Sequence, residues 1–445
     1  MPISALEILT DLIDLAHKAG ADAADALLVD ATDLSVSLRL GKIENLERSE
    51  SGDLGLRVFS GRRQALVSST DRSAKALNEL ACRAVKMAKL APEDPFCGIA
   101  APEEIAENYP ALETADKIEF SAEQLIEKAR ETEGAALAVE GVKNSDGASA
   151  GWGSSCVTIA ASNGFKGESR RTGYSLGVTV LAGDGTGMQR DHEYASRVFA
   201  ADLPTPAWIG MQAGMRAVRR LNPRKMPTAH VPVVFDPRIS GGLASLMVGA
   251  ISGAAIARGT SFLKDKLGQK IFPDSITIID DPHRARGLRS RAFDAEGILP
   301  QKRKLVDAGV LTTWLLDLRS ARQLKMRSTG HAARSPGGTP SPSPSNVYME
   351  AGKISPSELM RDIAQGFYVT ETMGMGVNGV TGDYSQAATG FWIENGQVSF
   401  PVNEMTIAGN LKDMFLNTSA ADDLQFRYGI DAPTLRIEGM TVAGT

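Results

Sequence analysis

The sequence predicts an α+β protein in two domains, with mixed helices and largely antiparallel sheets. Three observations carry this. Helical periodicity and strand alternation arrive in blocks (helix, several strands, helix) rather than in strict strand–helix alternation. Asn163-Gly164 and Asn395-Gly396 each sit between apolar-alternating runs, the strongest short signal for a hairpin and so for antiparallel neighbours. A polar, Pro-containing stretch, LNPRKMP, divides the 445 residues near position 225, giving an N-terminal α+β domain (1–225) and a β-rich C-terminal domain (226–445).

Residues 4–18 place Leu6, Leu9, Leu12, Ile13 and Ala16 on one helical side, with Ser4 as the cap. In LSVSLRL, Leu34, Val36, Leu38 and Leu40 alternate with polar residues, the pattern of a half-buried strand. A hairpin turning at Ser60-Gly61 follows, then a helix over 71–90, a Pro-rich connection and a helix over 122–132. A strand meander turns at Asn163-Gly164 and again at Gly183–Gly187, and a helix over 206–220 closes the first block. The second block opens with the strand HVPVVF. The run from Ser240 to Leu263, rich in Gly, Ala and Ser, reads as one buried helix packed closely on a sheet. The strand SITIIDD and the hairpin KRKLVDAGVLTTWLLD come next. Ser328–Asn346, the stretch richest in Pro, Gly and Ser, reads as a surface loop. A short helix over 356–365 and the hairpin FWIENGQVSFPV complete the chain.

Composition narrows the function. A net charge of −5 and 6% aromatic residues argue against a nucleic-acid partner. The opening residues are amphipathic and acidic, unlike a signal peptide, and no run is apolar enough for a membrane span. Three cysteines, Cys82, Cys97 and Cys156, with no CxxC, fit a reducing cytoplasm.

Several motifs fail on context. Gly147–Gly151 matches GxSxG, but polar residues precede it where a nucleophile elbow needs a buried strand, so it reads as a loop. Gly374–Gly379 matches GxGxxG, yet no helix start follows to hold a pyrophosphate. His192-Glu193 lies in strand sequence and has no second histidine at ligand spacing. Asp281 and His283 form either a turn in which the carboxylate binds backbone amides, the favoured reading, or an acid/base pair of an autonomous hydrolase.

An ordered set of segments is more specific: GMQRDHEY, GTSFLKDKLGQKIF, ITIIDDPH, FDAEGILPQKRKLVDAGVLTTWLLDLRSARQL, STGHAARS, SPSPSN and VNGVTGDYSQAATGFWIENGQ. Across nearly the whole chain the sequence resembles the TldD/PmbA family, above all its PmbA branch, also called TldE and formerly modulator of DNA gyrase. The resemblance implies a PmbA/TldD-like fold. In the TldD branch, the helix before the GTS turn carries HExxxH, two zinc-binding histidines and a general-base glutamate, and a cysteine near the C-terminus completes the metal shell. At the family's spacing those helix positions fall near Ala244, Ser245 and Gly249, none of which ligates zinc, and no cysteine follows Cys156.

The resemblance therefore implies a chain with no catalytic residue, metal site or cofactor of its own. It would pair with a TldD-like, zinc-bearing sibling as the non-catalytic subunit of a heterodimeric peptidase acting on small, unfolded or modified peptides. Self-pairing into a homodimer stays open, as does a peptide-binding regulatory role without a protease partner. Gly259, Thr260, Ser261, His331 and Arg334 are the candidate peptide or partner surface. Ala244, Ser245 and Gly249 are expected in close helix–sheet packing, with Gly249 the tightest.

Overall fold

In the computed structural model of the chain, which describes residues 4–374 and 376–444, Ser4 caps the first helix. Its hydroxyl accepts from the Glu7 amide at 3.2 Å, and the Glu7 carboxylate accepts from the Ser4 amide at 2.7 Å. This reciprocal box starts α1 (Ala5–Lys18), which buries Leu9, Leu12, Ile13 and Ala16. The strands β1 (Ala23–Arg39), β2 (Lys42–Ser60) and β3 (Arg63–Ser69) follow, then α2 (Ala74–Leu90) and α3 (Ala122–Leu137). The long strands β4 (Val142–Ala161) and β5 (Lys166–Ala182), with β6 (Gln189–Arg197), precede α4 (Pro206–Arg219).

All six strands form one antiparallel sheet in the order β3-β2-β1-β4-β5-β6. Alternation along β1 sorts its side chains. Ala24, Ala26 and Leu28 join the core under α1 and α2, and Leu34, Val36 and Leu38 join the core under α3 and α4. The intervening residues, including Asp25, Leu27 and Asp33, face away from the helices.

Leu40 does not belong to the buried stripe. It takes a φ of 50° where the chain reverses into Gly41, and it is 53% exposed. Gly147–Gly151 is not a loop. It lies inside β4, just after a bulge between Ser145 and Gly147, and no helix follows it.

From residue 229 the chain builds two large sheets and a small two-stranded one, Ala332–Ala333 with Ser341–Pro342. β7 (Ala229–Phe235) leads through the Asp236 cap into α5 (Pro237–Ala250) and α6 (Gly253–Ala257). A six-stranded sheet runs in the order Gln397–Asn410, Asp383–Glu394, Gln365–Met373, β7, Leu435–Ala443, Thr418–Ala420, with only β7 and Gln365–Met373 parallel. A five-stranded sheet contains Val310–Leu311, Arg303–Asp307, β8 (Ile278–Asp281), Asn346–Met349 and Ile430–Asp431. Its last pair is parallel. A shared core that includes Val233, Phe235, Met247, Phe272, Phe367 and Trp392 joins them. No helix among the described residues is long and apolar enough to cross a membrane.

The predicted helix over 240–263 is two helices. The chain leaves helical geometry at Ile251–Ser252, where Ser252 bridges to Leu315 and the Gly253 amide donates to the Leu315 carbonyl at 2.8 Å. Bridging to a distant segment outcompetes continuation of the helix. Gly253 is also the tight position, since a Cβ there would sit 2.5 Å from Leu316 Cδ2 and 2.9 Å from the Leu315 carbonyl oxygen.

Candidate functional site

Helix α5 turns Leu243, Ala244, Met247 and Val248 into the core and Ser245 and Gly249 outward. Five positions along a regular α-helix rotate by about 140°, and here Ala244 points into the core while Gly249 points out. The expectation of close packing holds for Ala244, which is 1% exposed, but not for Gly249, where a Cβ would meet nothing within 4 Å.

The GTS turn returns onto this helix. The Ser261 hydroxyl donates to the Ala250 carbonyl at 2.6 Å and accepts from the Leu263 amide at 3.0 Å. Ser261 is thus a buried clasp, while Gly259 and Thr260 are exposed at the end of α6.

The segment 280–346 carries the polar density of the C-terminal half. Asp280, fully buried on β8, accepts from the Ser345 hydroxyl, from the Ser345 amide at 3.1 Å and from His331 Nε2 at 2.9 Å. The other ring nitrogen of His331 meets the Thr329 hydroxyl at 2.8 Å. Asp294 accepts from the amides of Glu296, Ile298 and Ala332. Arg334 donates to Asp25 on β1, which also pairs with Arg57 on β2 at 2.5 Å, and Arg57 Nη1 lies 3.9 Å from Glu296.

Burial works against ionised Asp25, but the Arg334 and Arg57 guanidiniums hold its carboxyl below the usual range. Burial pushes Glu296 up to about 8; Arg57 pulls it down and Asp294 pushes it further up.

The Ser328–Asn346 stretch is therefore not a free surface loop at its base. His331 is 1% exposed, the Arg334 side chain is 1% exposed, and both are committed to partners inside the chain. Both ring nitrogens of His331 are engaged, and the unpaired Nε and Nη2 of Arg334 are buried away from an external peptide. The loop tip near Pro336 packs onto the N-terminal sheet at Gly55, where any side chain would collide with the Pro336 carbonyl.

Asp281 and His283 adopt the turn arrangement. The Asp281 carboxylate accepts the His283 backbone N–H at 3.1 Å and pairs with Lys302 at 3.0 Å, while His283 Nε2 has no hydrogen-bond partner. Burial lowers the His283 pKa, and Asp281 only partly offsets it. His192 lies on β6, stacked beside Tyr194. In the GxGxxG match, Met375 lies outside the described residues, and Gly374 and Gly376–Gly379 lead into the strand Asp383–Glu394 rather than into a helix.

Open space occurs on the face of the N-terminal sheet opposite its helices. A cleft of about 380 Å³ runs over Asp33, Ser35, Gly153, Ser155 and Gly173. At Ser196, Arg197 and Leu288 it joins a recess of about 260 Å³ lined by Arg284, Arg286, Arg427 and Asp431. The one sequence signal for this recess is the run HRARGLRSR at 283–291. Arg197 and Arg427 reach it from elements distant in the chain.

Three domain profiles match this architecture: PmbA/TldA metallopeptidase domain 1 over residues 24–88, the central domain over 115–221 and the C-terminal domain over 228–444. Metalloprotease PmbA of Escherichia coli O157:H7 is 37% identical over 425 residues, which is 95% of this chain and 92% of that one. The chain belongs to the PmbA/TldD metallopeptidase family. The Metalloprotease PmbA homolog of Haemophilus influenzae is also 37% identical, over 97% of this chain and 94% of its own. A solved structure from Bacteroides thetaiotaomicron, carrying the name modulator of DNA gyrase, superposes over the full length of both chains with a TM-score of 0.90 and 29% identity. TldE from Thermococcus kodakarensis shares the fold, with a TM-score of 0.88 over 98% of this chain and all of that one at 22% identity.

A metallopeptidase family implies a metal, and the residues present do not fit one. Zinc needs three or four nitrogen, sulfur or carboxylate donors converging at about 2.0–2.3 Å. Ala244 and Gly249 have no donor atom, Ser245 offers only an exposed hydroxyl, and the three do not converge. Among the described residues no group of three or more His, Cys, Asp or Glu could hold a metal ion. Cys82, Cys97 and Cys156 are free thiols, all in the N-terminal half.

Proposed function

We propose that this chain is the PmbA-type, TldE-like subunit of a zinc peptidase and performs no hydrolysis itself. A TldD-like sibling supplies the zinc and its activated water. This chain completes the enclosure and presents an unfolded or modified peptide, in the cytoplasm. The observation that carries the reading is a metallopeptidase-family fold whose α5 positions 244, 245 and 249 hold Ala, Ser and Gly. Water activation needs a fixed ligand set with an open coordination position, and three side chains without donors in range cannot assemble one. The exposed end of α6 at Gly259 and Thr260 is the part of the GTS turn left available to a peptide or partner.

The test is affinity capture of the tagged chain from its native cells, followed by zinc analysis and a peptidase assay on the captured complex and on the chain alone. The expected result is a zinc-bearing sibling in the complex and cleavage of unfolded peptide by the complex only. Cleavage by the isolated chain that a chelator abolishes would contradict it.

A further inference from the structure

The chain has a net charge of −5, yet it gathers arginines where the two halves meet. Among the described residues, no carboxylate lies within the 4.0 Å salt-bridge distance of Arg171, Arg197, Arg284, Arg289 or Arg291. Arg171 and Arg291 spend their donors on backbone carbonyls, of Leu288 and Ser290 and of Ser343 and Pro344 respectively. They brace the 283–291 segment.

Arg197 and Arg284 differ. Arg197 makes one hydrogen bond, to its neighbour's carbonyl at Ser196, 2.8 Å away. Arg284 stacks with its guanidinium 3.5 Å from the centroid of Phe426, which fixes the plane and leaves its N–H edge unused. Both line the 260 Å³ recess, together with Arg427. The Arg427 Nη1 is buried and hydrogen-bonded to nothing, with Glu193 3.7 Å away.

The two acids of the recess are already engaged. Asp202 binds Arg286 at 3.1 Å, and Asp431 takes the backbone N–H groups of Arg427, Tyr428 and Gly429. Burial, and then the neighbouring Arg427, lower the Arg197 pKa, and Asp202 and Asp431 only partly offset them.

We propose that this recess is a carboxylate-binding subsite, in which Arg197, Arg284 and Arg427 take the carboxylate of a peptide lying extended in the adjoining cleft. The proposal rests on the peptide-presenting role above. A planar guanidinium edge matches a carboxylate with two parallel hydrogen bonds. The recess suits one such group, and the cleft beside it is floored by small residues, Ser35, Ser155 and the open Gly173, over which a backbone can pass closely, while the Asp33 carboxylate covers Gly153. A nucleic acid fits poorly. Trp152 and Tyr174 lie at the cleft but are 6% and 1% exposed, so they present no stacking surface. The carboxylate has two sources in a peptide, the C-terminus or an Asp or Glu side chain.

The test is fluorescence anisotropy on the full chain with a labelled, unstructured peptide ending in an acidic pair. Companion peptides carry an amidated C-terminus, or Gln and Asn in place of the acids. The wild-type chain is expected to bind the acidic peptide about tenfold more tightly than a fully neutral one, the scale of one charge-assisted pair. The amidated and the Gln/Asn peptides then show which carboxylate is read. Arg284→Gln and Arg197→Gln, both at partly exposed positions, are expected to abolish the preference while leaving the melting temperature unchanged, and Arg284→Lys to retain part of it. Equal binding of acidic and neutral peptides would overturn the proposal, as would an undiminished preference in the double Arg→Gln variant. Displacement of the peptide by inorganic phosphate or a single-stranded oligonucleotide, but not by the unlabelled peptide, would assign the recess to phosphate and also overturn it. Capture of a zinc-bearing sibling tests the subunit reading separately, so either can fail alone.

Discussion

Helix α5 and the Ser328–Asn346 stretch reverse what their compositions suggest. The helix is small and apolar, yet it leaves Ser245 and Gly249 on an open face. The stretch is rich in Pro, Gly and Ser, yet it sinks His331, Arg334 and Ser345 into the molecule and ties them to Asp280 and Asp25. His331, Asp280, Asp25 and Arg334 are engaged inside the chain, and on α5 the one such residue is Arg238 in the first turn, paired with Asp191 and Asp236. Polar residues that have internal partners are structural, whatever motif they appear in.

The largest effect is expected from the buried network that ties the stretch to β1. Asp25→Ala leaves Arg57 and Arg334 buried without their shared carboxylate, and removing one partner of a buried pair costs about 3–5 kcal/mol. Chemical denaturation checks this. A loss under about 1 kcal/mol, the size of a surface pair, would mean that the network does not hold the halves together.

A smaller effect separates the tight from the open positions near α5. Gly253→Ala drives a methyl into Leu316 and the Leu315 backbone, and Ala244→His overfills a buried site, each costing about 1–3 kcal/mol. Ser245→Glu and Gly249→His face outward and are expected to change stability by no more than about 0.5–1 kcal/mol in either direction. Thermal melts of the four single variants rank them. Gly249→His emerging as the worst would restore the packed reading of that face.

The network also has a pH signature. The Glu296 pKa is raised in the folded chain to about 8 from an ordinary value near 4.5, so the folded state holds that proton more tightly than the unfolded one. Its contribution to stability is fully present below about 4.5 and is lost as pH rises through about 8. One such group gives a slope of at most about 1.4 kcal/mol per pH unit. Denaturation midpoints between those two values should fall with pH in the wild type and flatten in Glu296→Gln. An identical slope in both would show that Glu296 does not set the pH dependence.

What the sequence shows and what it hides divide along the range of the interactions. The Ser4 cap, the Asn163-Gly164 and Asn395-Gly396 hairpins and the Leu9–Ile13 stripe depend on neighbours a few residues away, and they are legible. Leu40 misleads because a turn claims it at the end of an alternating run. The break at Ser252 is hidden because Leu315 causes it. Arg334 looks free because its partner, Asp25, lies at the other end of the chain. For the site, the absence of zinc donors at 244, 245 and 249 is readable directly. The recess is not, because Arg197, Arg284 and Arg427 converge only in the fold.

Whether this chain holds a metal of its own is decided by zinc content, measured on the chain purified alone and on the complex captured from its own cells. A non-catalytic subunit holds no stoichiometric zinc when isolated, and the complex holds zinc, carried by the sibling. About one tightly held zinc per isolated chain, bound through an ordinary set of three or four protein ligands, would contradict it.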